Sequence, residues 1–180
     1  PRNGEILAFI SSPAINPDIF ASPLDSEEWS HLINDPLKPL QNRGIQGQYP
    51  PGSTYKTLVA AAALEEKVIT KDTVFHCKGS YKFGNRAYRC WKKEGHGSVS
   101  LHRAIVESCD VYFYQVGLKL GIDRIASYAR RFGLGKATGI ELSDEKGGIV
   151  PDKVWRQKRF GAPWIDGETL SCAIGQGFNL

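Results

Sequence analysis

A serine hydroxyl and a lysine amine lie three residues apart in the stretch Tyr49–Lys56, which reads Tyr-Pro-Pro-Gly-Ser-Thr-Tyr-Lys. Prolines and glycine precede an alanine-rich run of strong helix formers, so a helix is expected to begin at or near Ser53. Residues i and i+3 share a helix face, so the Ser53 hydroxyl and the Lys56 amine can touch. The positive end of the helix dipole favours a neutral amine, which can act as a base for an otherwise weak nucleophile. The pattern predicts an activated serine.

Ser-x-x-Lys alone also occurs at ordinary helix starts that carry a solvated surface lysine. The chain contains a second hydroxyl, however, in the sequence Ser108-Cys109-Asp110, which forms a polar break between apolar helical stretches. A serine nucleophile, a lysine and a later Ser-x-Asn-like element together form the pattern of penicillin-recognising acyl-serine enzymes. The combination favours the catalytic interpretation over the ordinary helix start.

Five local patterns predict the elements that must position these residues. An apolar stretch before a proline is typical of a strand, and caps and apolar periodicity predict helices. A segment rich in glycine, lysine and aromatic residues predicts a hairpin or an irregular excursion. The predictions are a strand at Glu5–Ser11, a helix at Ser26–Ile33, the excursion at Thr70–Gly97, a helix at Ser100–Leu120 broken at 108–110, and a helix capped by Asp123 that ends near Gly133.

Composition and charge exclude some classes of protein. The 180 residues are 41% hydrophobic, which is sufficient for a sizeable single core. The net charge of +4 arises from lysines and arginines interleaved with aromatic residues, a composition that can bind single-stranded nucleic acid. No signature of a nucleic-acid-binding fold accompanies it, so a solvated basic face beside core aromatics is the preferred interpretation and no nucleic-acid partner is expected.

Further short motifs agree in type and order with those of one family. The chain resembles the transpeptidase domain of class B penicillin-binding proteins, most closely the elongation-type penicillin-binding protein 2. The resemblance runs along nearly the whole chain. Its motifs are Gly4-Glu5-Ile6-Leu7-Ala8, Ser12-Pro13, Asn16-Pro17, Asn42-Arg43, Tyr49-Pro50-Pro51-Gly52-Ser53-Thr54, Gly95-His96-Gly97, Ser108-Cys109-Asp110, Phe132-Gly133, Thr138-Gly139-Ile140, Trp155, Arg159-Phe160, Pro163-Trp164 and Ala173-Ile174-Gly175-Gln176-Gly177.

The resemblance implies an α+β penicillin-binding, serine β-lactamase-like fold, in which a helical lobe packs on an antiparallel sheet. Residues 1–180 would form part of a transpeptidase domain, truncated before the later strands. A membrane anchor and a non-catalytic domain would precede them, and a strand carrying Lys-Thr-Gly or Lys-Ser-Gly would follow. Neither tripeptide occurs in the 180 residues. These residues alone are therefore expected to be inactive.

The activity implied by the resemblance is a D,D-transpeptidase that cross-links peptidoglycan stem peptides during cell elongation and shape maintenance. Ser53 would be the nucleophile and Lys56 the base, with Ser108 relaying a proton to the leaving nitrogen. β-Lactams would acylate the same serine, and catalysis would need no cofactor. The implied location is the bacterial inner membrane with the catalytic domain in the periplasm, beside a glycosyltransferase of the elongation machinery.

Asp110 departs from the family's usual Asn. An amide both donates and accepts hydrogen bonds, whereas a carboxylate only accepts them. An ionised Asp110 would also favour the ammonium form of Lys56 and oppose its role as a base. Either Asp110 is protonated, or it orients Lys56 and leaves substrate binding to other groups. Its expected role is binding and orientation.

Two other functions use the same residues. A serine β-lactamase or a D,D-carboxypeptidase would share the nucleophile, and a non-catalytic β-lactam sensor would acylate without supporting cross-linking. The proline- and glycine-rich approach to Ser53 and the tryptophan-containing segment at 155–164 match transpeptidases better. The rate of deacylation discriminates among the three.

Three cysteines and a histidine allow three interpretations. Cys77, Cys90, His96 and Cys109 are spaced Cys-x12-Cys-x5-His-x12-Cys, which is not a standard zinc finger. Three thiols and an imidazole nevertheless make a tetrahedral zinc set, and a structural zinc would tie the excursion to the turn that bears Ser108. The extracytoplasmic location implied by the resemblance also permits a Cys77–Cys90 disulfide. The third interpretation is a set of buried free thiols.

Overall fold

The computed structural model describes Asn3 and residues 5–180, which divide into two compact units. The first unit comprises the described residues up to Gln48 together with Ala137–Lys146, and the second comprises Tyr49–Lys136 and Gly147–Leu180. Gly4, the first residue of the N-terminal motif, lies outside the described residues. All the residues with predicted chemistry belong to the second unit.

The first unit contains the predicted short helix. Helix α1 (Ser26–Asn34) begins at a capping box, in which the Asp25 carboxylate accepts from the backbone N–H of Glu28 at 2.8 Å and the Glu28 carboxylate accepts from the N–H of Asp25 at 3.1 Å. A single turn, α2 (Arg43–Gln46), follows. The prediction of a helix at 26–33 is confirmed, and the cap explains where it begins.

The predicted strand at Glu5–Ser11 is wrong. A strand needs a hydrogen-bonded neighbour, and no strand pairs with this segment in the part of the chain that the structure describes. The side chains of Leu7 and Ile10 are 78% and 84% exposed, so the apolar pattern is not buried against a sheet. Phe9 packs instead on Gly44, where an added Cβ would lie 2.6 Å from the ring.

The second unit combines helices with short antiparallel strands. Its described elements are, in chain order, α3 (Tyr55–Glu65), β1 (Val74–Cys77), β2 (Ser80–Phe83), β3 (Arg86–Arg89), β4 (Gly97–Ser100), α4 (Leu101–Val106), α5 (Asp110–Leu120), α6 (Ile122–Arg131), α7 (Lys153–Phe160) and α8 (Asp166–Ala173). The expected combination of a helical lobe with antiparallel pairing is therefore present.

The four strands build the predicted excursion as two nested pairs. Strands β2 and β3 form a hairpin, and β1 pairs with β4 in a register that joins Val74 to Ser100 and Cys77 to Gly97. The hairpin turn contains Gly84 in the left-handed region, at φ +56°. The hairpin prediction for this segment is confirmed, and the outer pair brings Cys77 next to the residues that precede α4.

The helix boundaries follow the predicted break. Helix α4 ends at Val106 and α5 begins at Asp110, which confirms the interruption at 108–110. The prediction that Asp123 caps α6 is wrong, because Gly121 occupies the N-cap position with φ +79°. The Asp123 carboxylate lies in the first turn and pairs with the Lys153 ammonium at 3.1 Å.

Helix α5 is central to the core of the second unit and packs against α8, α3 and α6. Its residues Val111 and Phe113 are fully buried, and burial of such a side chain contributes about 1.5–3 kcal/mol. Gly117 allows α8 to approach closely, since an added Cβ would lie 2.5 Å from the Ala173 methyl group. Helix α3 is apolar on nearly all sides, as expected for an interior helix. This packing holds the starts of α3 and α5 together.

Candidate active site

Ser53 lies in a single 3-10 turn, Gly52–Thr54, that leads directly into α3. The side chain is exposed, while Lys56 in the first turn of α3 is buried. The backbone N–H of Gly52 donates to the carbonyl of Gly175 at 2.8 Å. Gly175 has φ +71°, and a Cβ there would come within 2.1 Å of the Gly52 oxygen, so only glycine permits this contact. The serine turn is thereby held against the Gly175 turn.

Ser108 occupies the turn between α4 and α5 in a strained conformation. Its φ of +52° falls in the left-handed region, which costs a residue other than glycine about 1–3 kcal/mol. Two backbone hydrogen bonds close the turn, from the Ser108 N–H to the Ile105 carbonyl at 3.2 Å and from the Cys109 N–H to the Ala104 carbonyl at 2.9 Å. The strain is maintained by contacts on either side of the turn.

A chain of hydrogen bonds joins the three residues predicted to be catalytic. The hydroxyls of Ser108 and Ser53 lie 2.9 Å apart, and the Lys56 Nζ lies 2.9 Å from the Ser108 Oγ. The Lys56 amine also donates to the Ser108 carbonyl at 2.9 Å and to the Asp110 Oδ1 at 2.6 Å. The structure therefore connects Ser53 to Lys56 through the Ser108 hydroxyl.

This arrangement suits proton transfer from the nucleophile. A neutral amine has two N–H bonds and one lone pair. If the N–H bonds of Lys56 are directed at the Ser108 carbonyl and the Asp110 carboxylate, the lone pair faces the Ser108 hydroxyl. A hydroxyl can donate and accept at once, so Ser108 can pass a proton from Ser53 to Lys56 and return it later.

The amine of Lys56 is buried, which is unusual for a lysine. Its side chain is 2% exposed and that of Asp110 is 14% exposed. A buried ammonium is costly unless it is paired and hydrogen-bonded, and Asp110 supplies that pairing while the Phe113 ring lies 5.8 Å from the Nζ. These contacts fix the position of the amine beside the Ser108 hydroxyl.

The geometry of Asp110 favours orientation over substrate binding. Its Oδ1 accepts from Lys56, and its Oδ2 accepts from the backbone N–H of Trp91 at 3.1 Å. Both oxygens act as acceptors, which matches a carboxylate. Donors to a substrate carbonyl must then come from other groups, as in the second of the two hypotheses for this residue.

A role for Trp91 in the site was not predicted from the sequence. Besides its backbone N–H, its indole Nε1–H is directed at the carbonyls of Glu107 and Ser108, at 3.0 Å and 3.1 Å. Trp91 follows a cysteine in an irregular segment, and no local pattern reveals that an indole will reach a turn sixteen residues away. Its contacts place it in direct support of the site.

Cys77, Cys90, His96 and Cys109 converge in one buried cluster, where the ligand atoms all lie within 4.8 Å of one another. The Sγ atoms of Cys77 and Cys90 are each 3.6 Å from the His96 Nδ1. All four cysteines of the chain are free thiols, so Cys77 and Cys90 form no disulfide. Burial, together with the neighbouring thiols, raises the pKa of Cys109 far above its usual range.

The remaining cysteine and two other histidines lie apart from this cluster. Cys172 is buried in α8, and burial raises its pKa to about 12, so it is an inert thiol at neutral pH. His31 and His102 are exposed. His96 is buried.

No helix in the described residues is both long and apolar enough to cross a membrane. The longest helices, α3 and α5, have 11 residues each and belong to the core.

Comparisons with known proteins agree with the geometry. The profile of the penicillin binding protein transpeptidase domain matches residues 1–180. The chain is 44% identical over 180 residues to the peptidoglycan D,D-transpeptidase MrdA of Escherichia coli K12, covering 99% of this chain and 28% of that protein. The chain thus spans less than a third of the length of this curated relative.

Two solved structures are also similar. A complex between penicillin-binding protein PBP2 and MreC from Helicobacter pylori matches with a TM-score of 0.93 and 41% identity, over 98% of this chain and 33% of that one. A penicillin G acyl-enzyme complex of penicillin-binding protein A from M. tuberculosis matches with a TM-score of 0.81 and 27% identity, over 98% and 40% of the two chains.

Proposed function

Because the chain belongs to the penicillin-binding protein transpeptidase family, we propose that the protein is a serine-type D,D-transpeptidase that cross-links peptidoglycan stem peptides in cell-wall elongation and cell-shape maintenance. The observation that carries the proposal is the continuous hydrogen-bonded chain from Ser53 through Ser108 to Lys56. Its substrate is the stem peptide, and β-lactams are its covalent inhibitors.

The reaction proceeds in two acyl transfers at Ser53. The Ser53 Oγ attacks the penultimate D-Ala carbonyl, and its proton passes through the Ser108 hydroxyl to the Lys56 amine. Lys56 then returns the proton through Ser108 to the leaving nitrogen, and the terminal D-Ala departs. An amine of a second stem peptide then attacks the ester carbonyl, its proton passes to the Ser53 Oγ as the ester C–O bond breaks, and the cross-link and the free serine result.

The oxyanion of each tetrahedral intermediate needs two hydrogen-bond donors. The backbone N–H of Ser53 would supply one of them. In the family the second donor, and the group that binds the substrate carboxylate, belong to the Lys-Thr-Gly strand, which these 180 residues do not contain. Since the chain spans less than a third of the length of its curated relative, the activity is proposed for the full-length protein.

The lifetime of the acyl-enzyme tests this function against its alternatives. After full-length protein is incubated with benzylpenicillin and the free drug is removed, intact-mass spectrometry is expected to find an adduct that persists for many minutes. A β-lactamase would lose the adduct rapidly and turn over the drug. An adduct without any cross-linking of stem peptides would indicate a sensor, and that result would contradict the proposal.

The cellular setting is proposed on the same basis. The protein would act at the bacterial inner membrane with its catalytic domain in the periplasm, where stem peptides are presented. The H. pylori relative forms a complex with MreC, which supports an assembled setting for this chain. A glycosyltransferase of the elongation machinery is the expected partner, since cross-linking requires newly polymerised strands.

A structural zinc is proposed for the cluster of Cys77, Cys90, His96 and Cys109. Zinc–sulfur bonds of about 2.3 Å and tetrahedral angles put the ligand atoms about 3.3–3.8 Å apart. The two distances of 3.6 Å to the His96 Nδ1 fall in this range. The His96 Nε2 is buried without a hydrogen-bond partner and lies 4.0 Å from the Glu107 carboxylate, which is beyond hydrogen-bond distance. A shorter approach of this carboxylate would orient a ligating imidazole. The residues fit zinc, which would hold the excursion to the Ser108 turn.

Purified protein is expected to contain one zinc per chain by elemental analysis, and a Cys90→Ser variant is expected to lose most of it. Removal of the metal with a strong chelator should lower the melting temperature by roughly 10 °C, because a site filled far above its Kd contributes about 4 kcal/mol. Cys172→Ser, which changes a cysteine outside the cluster, should retain the metal. Protein without zinc whose mass is lower by two hydrogens would indicate a disulfide instead.

A further inference from the structure

We propose that Trp91 is a positioning residue that holds the Ser108 turn in the conformation required for proton transfer. The inference rests on the proposed function, because it concerns the acylation of Ser53. The hydrogen bonds of Trp91 go to Glu107, Ser108 and Asp110 and not to the nucleophile or the base, so it acts through Ser108 and Asp110.

Lys56 and Trp91 donate hydrogen bonds to the same two groups, the Ser108 carbonyl and the Asp110 carboxylate. Lys56 donates to the Ser108 carbonyl and to the Asp110 Oδ1. Trp91 donates to the same carbonyl through its indole and to the Asp110 Oδ2 through its backbone N–H. The Ser108 carbonyl and the Asp110 carboxylate are thus each shared between Lys56 and Trp91.

The strain at Ser108 makes this support necessary. A serine at φ +52° would relax toward a negative φ if its carbonyl were released, and the hydroxyl would turn with the backbone. The hydroxyl contacts both Ser53 and Lys56 at 2.9 Å, so a small rotation breaks the proton path at both ends. The indole N–H, which also reaches the Glu107 carbonyl, fixes two consecutive peptide groups of the turn.

The position of the indole is itself secured. Its ring makes an edge contact with the buried His96 imidazole, with centroids 5.3 Å apart, although 62% of the Trp91 surface is exposed. Two N–H groups of Trp91, the backbone N–H and the indole Nε1–H, make three hydrogen bonds to this turn. These bonds and the contact with His96 orient the side chain, which suits a positioning role.

Trp91→Phe in the full-length protein tests the inference, because phenylalanine keeps an aromatic ring and the backbone N–H but loses the indole donor. The first-order rate constant of acylation by benzylpenicillin is expected to fall about three- to tenfold, the effect of one ordinary hydrogen bond. The dissociation constant of the preceding non-covalent complex should stay within twofold. Trp164→Phe, which removes an indole donation to the Thr169 hydroxyl, is the matched control and should leave acylation unchanged.

Hydrogen exchange supplies a readout that does not depend on acylation. The amides of Ser108 and Cys109 should exchange faster in Trp91→Phe than in the wild type, and the Trp164→Phe control should match the wild type at both. An unchanged acylation rate constant with unchanged exchange at these amides would overturn the inference. Faster exchange in a protein whose wild type is never acylated would instead support the positioning role and refute the proposed function.

A further variant separates loss of the N–H donor from altered packing. Benzothienylalanine at position 91 has the shape of tryptophan without its N–H, and it should reproduce the phenylalanine result.

Discussion

A Lys56→Met variant of the full-length protein is expected to be acylated by benzylpenicillin about 10²–10⁴-fold more slowly than the wild type, the range that a general base contributes. The Lys56 amine is the only group in the described hydrogen-bond chain from Ser53 that can accept a proton as a neutral base. Methionine keeps a long side chain at this 2%-exposed position and limits the cavity that alanine would leave. The quantity to measure is the second-order rate constant of acylation, with the extent of acylation determined by intact-mass spectrometry.

The Lys56→Arg variant distinguishes loss of the base from loss of the positive charge. Arginine keeps a cation and several donors beside Asp110 but does not release its proton at neutral pH. It should therefore be as slow as the methionine variant. Lys71→Met, a change of an exposed lysine in a turn, is the control and should acylate normally. A folded Lys56→Met variant that acylates within tenfold of the wild type would refute the assignment of Lys56 as the base.

Asp110→Ala is expected to reduce the acylation rate constant roughly 10- to 100-fold. The change removes the acceptors for the Lys56 amine at 2.6 Å and the Trp91 N–H at 3.1 Å, and a hydrogen bond to a charged group contributes about 1.5–3 kcal/mol. Without them the amine is free to leave the Ser108 hydroxyl. The variant should keep its fold, because Asp110 lies at the edge of the core with its side chain 14% exposed.

Asp110→Asn tests what the carboxylate contributes. The amide oxygen still accepts from Lys56, while the Trp91 N–H loses its acceptor because the amide nitrogen replaces Oδ2. Loss of the negative charge removes a group that favours the ammonium form. Acylation at neutral pH is expected to stay within about fivefold of the wild type or to increase. A loss as large as that in Asp110→Ala would show that the negative charge itself is required, and it would contradict an orienting role.

The positions of Ser53, Lys56 and Ser108 were predictable because each lies at a local signal. The Pro-Pro-Gly sequence marks the start of α3, so it places Ser53 and Lys56 within one turn of each other. The polar interruption between two apolar helical stretches likewise marks the turn at Ser108. That the two turns meet was implied only by resemblance to the family, since the packing of α3 against α5 joins residues more than fifty positions apart.

The contacts that support the site could not be predicted, because they depend on side-chain direction and non-local pairing. The pairing of β1 with β4 carries Cys77 to His96, which no spacing rule indicates. The role of Trp91 depends on where its indole points. The mistaken strand at Glu5–Ser11 has a related cause, since an apolar pattern specifies a strand only where a partner is present.

Ser53 is proposed to be the nucleophile that forms the acyl-enzyme. To test this, full-length protein is incubated with benzylpenicillin, its intact mass is measured and the modified peptide is mapped. One adduct per chain, located on Ser53 and lost in Ser53→Ala, is the predicted result. An adduct on another residue, or no adduct on a folded wild-type protein, would contradict the claim.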